Sequence, residues 1–238
     1  MKSRNVIAFL FLICSATLFL AAPAAQAAES WGGDLRLYVL GSGMEGSVGA
    51  SGRAADVNLS YSDVLSNMKL GFMGQTHLYK GRVSIHEDVS YMPLKMENNL
   101  VKADITHWVI GFDGGYRFSR YVELFGGVRI NAVRNTFDFK APPAFETKPR
   151  KTWVDPVVGL RLNPELSRNW ALSSRFDVGG FGVSSKFTYY IEGALVRRIS
   201  PRTSFDFGWR VLRIKYDKSR LLYDVTISGP LAGFSFYY

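Results

Sequence analysis

Apolar and polar positions alternate with a period of two along most of the chain. From Trp108 to Phe118 one face reads Trp108, Ile110, Phe112, Gly114, Tyr116 and Phe118, and the other Val109, Gly111, Asp113, Gly115 and Arg117. Over Trp170–Val178 one face carries Trp170, Leu172, Ser174, Phe176 and Val178 against Ala171, Ser173, Arg175 and Asp177. Phe205, Phe207, Trp209 and Val211 likewise oppose Asp206, Gly208 and Arg210. Such alternation predicts strands with two unlike faces. Charges share a face with glycines and aromatics line the other, an inside-out polarity expected of a barrel standing in lipid.

Short polar turns join these runs at Tyr79-Lys80-Gly81-Arg82, Phe118-Ser119-Arg120-Tyr121, Leu166-Ser167-Arg168-Asn169-Trp170 and Ile199-Ser200-Pro201-Arg202. Longer connections are expected around residues 43–66, 95–102, 138–151, 180–186 and 217–221. Short turns alternating with long loops are the mark of outer-membrane barrels, short on the periplasmic side and long outside. The reading is all-β: a single antiparallel up-and-down transmembrane β-barrel of about ten strands, or eight if residues 31–66 do not complete a first strand.

The chain ends on alternating aromatics, Phe234, Phe236 and Tyr238, the form of a C-terminal assembly signal read by barrel-assembly machinery. Tyr223, Val225 and Ile227 have the opposite parity, and a β-bulge at Gly229-Pro230 would return both sets to the lipid side. With Trp153-Val154-Asp155-Pro156-Val157-Val158-Gly159, Asp177-Val178-Gly179-Gly180-Phe181-Gly182-Val183, and Tyr223-Asp224-Val225 running into Gly229-Pro230, the chain resembles small outer-membrane β-barrel proteins of Gram-negative bacteria, in the broad class of the OmpA transmembrane domain. The resemblance implies fold and location. It brings no catalytic residues.

The N-terminus reads as an export signal. Lys2 and Arg4 precede an apolar run from Val6 to Ala22, and Ala25-Gln26-Ala27 is a small-x-small cleavage pattern, placing the cut after Ala27 and the barrel over 28–238. Cys14 lies inside the apolar run behind Ile13, which is too large for a lipobox. The remaining chain has no cysteine, which excludes disulfides and thiolate metal sites. It also lacks the run of about 18 apolar residues a spanning helix needs. The net charge of +9 falls by two when Lys2 and Arg4 leave, and the excess is expected in two outer loops.

Parity places Asp88, Asp113, Glu123, Asp155, Asp177, Glu192 and Asp206 in the lumen with Arg117, Arg129, Arg161, Arg175, Arg198 and Arg210. This near balance suits an ion-pair network plugging a narrow barrel, or the lining of a small gated pore for ions or solutes. His107 is expected near the outer rim at the height of Asp155, Asp177 and Ser184 or Ser185, the groups a lipid-modifying enzyme of the outer leaflet would need. His77 and His86 flank the Lys80-Gly81 turn and face inward, too few for a zinc site. Lys140, Lys148, Arg150, Lys151, Lys215, Lys218 and Arg220 are candidates for lipopolysaccharide contact. Gly41-Ser42-Gly43-Met44-Glu45-Gly46 has the form G-x-G-x-x-G without the βαβ context of a dinucleotide site, and reads as a flexible loop or bulged strand end. Nothing calls for a cofactor, a metal or nucleic acid. Glu87 shares the parity of Val83, Ile85, Val89 and Tyr91, a charge on the lipid face that a bulge or a protein contact would explain.

Overall fold

The computed structural model describes residues 30–238 apart from 51–52, 61–69, 98–100, 140–144, 148–149 and 219–220. The expected leader, with Cys14 and the cut after Ala27, lies outside the described residues. In chain order the strands are β1 (Gly32–Leu40), β2 (Gly43–Ala50), β3 (Arg53–Leu59), β4 (Gly71–Lys80), β5 (Val83–Glu97), β6 (Val101–Arg117), β7 (Val122–Phe139), β8 (Phe145–Thr147), β9 (Arg150–Leu162), β10 (Glu165–Ser167), β11 (Trp170–Gly179), β12 (Phe187–Ser200), β13 (Thr203–Lys218) and β14 (Leu221–Tyr237).

Each ring strand pairs antiparallel with its neighbours in the order β1-β4-β5-β6-β7-β9-β11-β12-β13-β14, and β14 returns to β1 from Asp34↔Tyr237 to Leu40↔Leu231. The sheet is thus a closed barrel of ten strands, with β2, β3, β8 and β10 outside the ring. Closure satisfies every ladder without leaving an edge, which is what a sheet in hydrocarbon requires. The four short turns and the C-terminal residues share one end of the barrel.

The outward face is the predicted one. Phe112, Tyr116, Phe118, Phe176, Val178, Phe205, Phe207 and Trp209 are exposed, as are Phe234, Phe236 and Tyr238. The opposite end differs from expectation, because most of the expected long loops are strand. Gly43–Ala50 and Arg53–Leu59 form a hairpin, and β6 and β7 pair from Val101↔Phe139 down to Arg117↔Glu123. At 17 and 18 residues, these strands outrun the roughly 10 that cross a bilayer, so the hairpins continue beyond it. Among the described residues, the connection at 180–186 is a loop of the expected kind. The G-x-G-x-x-G segment is strand too, with β2 following the line of β1 along β14.

The expected bulge at Gly229-Pro230 is absent. β13 and β14 keep one register from Thr203↔Phe236 to Lys218↔Leu221. Phe234 and Phe236 therefore point out, while Tyr223, Val225 and Ile227 point in and are fully buried. What Gly229-Pro230 interrupts is the neighbouring strand, between β1 and β2. Pro230 has no N–H to offer, so that ladder breaks, and Gly41 N donates to the Pro230 carbonyl at 3.0 Å. Position 229 must be glycine, since a Cβ there would run into the Gly41 carbonyl oxygen.

Glu87 lies on the outer face, half-buried, in unbroken register between Thr76 and Phe112. A bulge does not account for it.

Candidate functional site in the barrel interior

The interior has two unlike halves. Towards the short-turn end it is ionic. Seven carboxylates are buried there, Asp34, Asp88, Asp113, Glu123, Asp177, Glu192 and Asp206, with four arginines, Arg129, Arg161, Arg175 and Arg210. Arg36, partly buried, joins them. Arg161 Nη2 donates to both oxygens of Asp113 at 2.6 and 2.7 Å, and its Nη1 to Glu123 at 2.5 Å. Arg175 spans the lumen, donating to Asp88 at 3.1 Å and to Asp177 at 3.0 Å, with Asp113 at 3.3 Å. Arg129 donates to both Asp177 oxygens at 2.6 and 2.8 Å. Arg36 donates to Asp34 at 2.6 Å and reaches across to Ser173 at 2.7 Å. The Phe125 ring lies 4.0 Å from the Arg161 guanidinium and 4.7 Å from that of Arg175. Buried charges are tolerable only when paired in this way.

Three of the buried carboxylates are held by neutral donors instead. Asp206 accepts from Tyr38 and Ser204 hydroxyls at 2.9 and 2.7 Å and from Ser235. Glu192 accepts from Gln75 at 3.2 Å and from the Tyr190 hydroxyl. Asp155 is the third, in the other half. Arg210 is the converse, a fully buried guanidinium whose contacts are Ser90 Oγ at 3.1 Å and the Met73 and Met92 thioethers at 3.1 and 3.6 Å. Its Nε has no partner. Glu192 is its cross-strand neighbour, yet is bonded elsewhere.

Beyond Arg210 the lumen is a hydrophobic core. Met44, Met92, Ile105, Leu212, Ile214, Tyr216, Tyr223, Val225 and Ile227 pack there with almost no exposure. The expected ion network is thus joined by an apolar layer. Its members sit at inward parity above the ionic layer, where side chains fill the barrel.

His107 lies inside this core, fully buried, rather than at a rim. It is bonded to Asn131 Oδ1 at 3.2 Å and the Tyr223 hydroxyl at 3.2 Å. Ser185 Oγ donates to Asp155 at 2.6 Å and Ser185 N to the same carboxylate at 2.7 Å, while Trp153 Nε1 donates to it at 2.9 Å. Asp177 belongs to the ionic layer instead. Base and hydroxyl are thus separated by Asn131 and Asp155, and Ser185 is fully buried. The cluster is a clamp that ties the 180–186 loop into the barrel. That loop is tightly specified: Gly180, Phe181 and Gly182 all have positive φ, and Lys218 Nζ donates to the carbonyls of Gly182 and Val183 at 3.1 and 3.0 Å.

His77 and His86 face each other across β4 and β5, with ring centroids 6.0 Å apart. His77 sits 3.4 Å from Asp34 and 3.6 Å from Glu123, and His86 3.6 Å from Asp113. They belong to the ion network and not to a solvated mouth. Among the described residues no group of three or more histidines and carboxylates could hold a metal ion.

Arg117 and Arg198 leave the predicted lumen set. Each occupies the last inward position before a short turn, where the side chain meets the open end. Arg198 is about half exposed, 3.8 Å from Glu165. They join Lys80, Arg82, Arg120, Arg168, Arg197 and Arg202 in a basic rim, in which Glu165 is the one acidic side chain among the described residues. The rim arginines rest on aromatics: Arg117 lies 4.3 Å from the Tyr79 ring, Arg120 4.6 Å from Tyr121 and Arg197 5.4 Å from Trp170. A large share of the positive charge among the described residues therefore stands at this end. Of the outer basic candidates, Lys140, Lys148 and Arg220 lie outside the described residues. Arg150 is exposed, Lys151 half-buried, and Lys215 exposed at 4.0 Å from Asp224.

Sequence parity missed Asp34, Arg36 and Tyr38, although their spacing in Asp34-Leu35-Arg36-Leu37-Tyr38 alternates polar with leucine and carries the signal.

No family model matches the chain, and no curated protein matches it. Among solved structures, the outer membrane protease OmpT from Escherichia coli is similar with a TM-score of 0.53 at 11% identity, covering 91% of this chain and 99% of that one. Ail, the attachment invasion locus protein of Yersinia pestis, is similar at 0.44 and 13% identity, covering 87% and 99%. Neisserial surface protein A is similar at 0.39 and 11% identity, covering 90% and 100%. At such identity the likeness to OmpT speaks for fold alone. The chain has the fold of a small Gram-negative outer-membrane β-barrel.

Proposed function

We propose that the protein is an integral barrel of the outer membrane with a closed interior and a structural, surface-interactive role. The supporting observation is the bridging of the lumen from wall to wall, by Arg36 to Ser173, Arg175 to Asp88 and Arg210 to Ser90, under a continuous apolar layer. Such a barrel leaves no water path in this state. Its short-turn end faces the periplasm, following the rule for exported barrels. Arg150, Lys151, Lys215 and Lys218, with Lys140, Lys148 and Arg220, meet lipopolysaccharide phosphates at the other end. The leader is removed after Ala27, and Phe234, Phe236 and Tyr238 are read by the assembly machinery.

Planar-bilayer recording of the purified protein tests this reading. The expected result is a quiet bilayer together with a heat-modifiable band in the outer-membrane fraction. A steady open-channel current would replace the plugged barrel with a pore.

A further inference from the structure

The basic rim at the short-turn end is absorbed by neither the fold nor the plugged interior. All four short turns contribute to it, so the cations encircle the barrel. Among the described residues of the rim, Arg198 pairs with a carboxylate, Glu165, and that pair is long and exposed. On the outward face Arg197 lies over Trp170 and Arg82 donates to the Tyr116 hydroxyl at 3.2 Å. Cations stacked on aromatic rings in a ring around a membrane-facing wall match the geometry of a bilayer interface, where the aromatic sits at headgroup level and the arginine reaches phosphate.

One part of the rim is also concave. Between the β10–β11 and β12–β13 turns lies a cavity of about 610 Å³, lined by Arg168, Asn169, Arg198 and Ser200 on its polar side and by Ile199 and Pro201 on its apolar side. Ile199 is 61% exposed. Two guanidinium groups, a side-chain amide and a hydroxyl converging beside an exposed aliphatic chain suit a phosphodiester with the start of an acyl chain attached.

We propose that this rim binds anionic phospholipid of the leaflet that surrounds it, with the Arg168–Arg198 cavity as its phosphate seat. The inference rests on the reading of the chain as a membrane barrel. Bilayer phosphate is favoured over an acidic polymer of the aqueous side because the cations come from turns around the wall and two of them, Arg82 and Arg197, meet its outward aromatics Tyr116 and Trp170.

The test reconstitutes the full barrel in vesicles of phosphatidylcholine with phosphatidylglycerol and measures lipids retained, by native mass spectrometry after mild detergent release. The wild type should retain phosphatidylglycerol in preference to phosphatidylcholine. Arg168→Gln and Arg198→Gln should each lower that preference about fivefold, whereas Lys186→Gln at the opposite end, where the ammonium is paired with Asp217 at 2.9 Å, should leave it unchanged. Arg120→Gln, at an exposed turn remote from the cavity, provides a second rim variant should either of the first two fail to fold. Equal retention of the two lipids by the wild type, or retention unaffected by the rim variants, would overturn the proposal. So would binding of soluble polyglutamate or inorganic phosphate through Arg168 and Arg198 without a lipid preference. A chain that inserts into no vesicle composition would instead overturn the membrane-barrel reading itself.

Discussion

Replacing Arg161 by methionine, or Arg210 by methionine, removes the same charge from the same lumen, and the two outcomes should diverge. Arg161 makes three charged hydrogen bonds, at 2.5, 2.6 and 2.7 Å, to Glu123 and Asp113. Without it Asp113 keeps Arg175 at 3.3 Å and His86 at 3.6 Å, while Glu123 keeps only His77 at 3.6 Å. Stranding a buried carboxylate in this way costs about 3–5 kcal/mol. Arg210 holds two thioethers and one serine hydroxyl, so its removal strands no charge, and methionine fills much of the same space beside Met73 and Met92. That change should be neutral or stabilising by about 1 kcal/mol or more. Urea titration of the barrel in lipid vesicles, followed by tryptophan fluorescence, reads both. With a slope of about 3 kcal/mol per M, the Arg161→Met midpoint should fall by about 1–1.7 M, and the Arg210→Met midpoint should hold or rise. Equal losses in the two variants would refute the reasoning, since they would mean that thioethers and a hydroxyl offset a buried guanidinium as well as carboxylates do.

Two further outcomes follow from particular contacts. Asp155→Ala removes the acceptor of three strong hydrogen bonds from Ser185 and Trp153, at about 1–3 kcal/mol for each donor left unsatisfied; limited trypsin digestion should then nick the chain after Lys186, where the wild type resists. Gly229→Ala forces a Cβ against the Gly41 carbonyl where β14 meets β1, at about 1–3 kcal/mol, and should lower the unfolding midpoint in the same urea assay, whereas Gly193→Ala, with open space around its Cβ position, should not.

Strands and facing were legible where alternation was unbroken. Phe112, Phe176 and Phe207 follow directly from period two, as do the inward positions of Asp113, Arg175 and Asp206, because adjacent side chains in a strand must point to opposite faces. The four short turns were legible because their residue types are the ones tight hairpins accept. Parity gave no guide to how far a strand runs, so the hairpin at 43–59 and the strand ends around 95–97, 101–102 and 138–139 read as loop. The last strand misled for a related reason. Tyr223, Val225 and Ile227 looked lipid-facing because they are apolar, yet an apolar side chain serves a packed lumen as well as a lipid wall.

By itself the sequence determined that this chain is a barrel with aromatic flanks outside and charge within, because alternation and turn chemistry act locally along the chain. Only the tertiary structure decided which charges meet. Arg161 finds two carboxylates on other strands, Arg210 finds none, and Asp155 is spent on a loop 30 residues away. These pairings depend on the register and closure of ten strands, which set distances across the lumen that no single strand encodes. The same closure turned arginines from four separate turns into one ring.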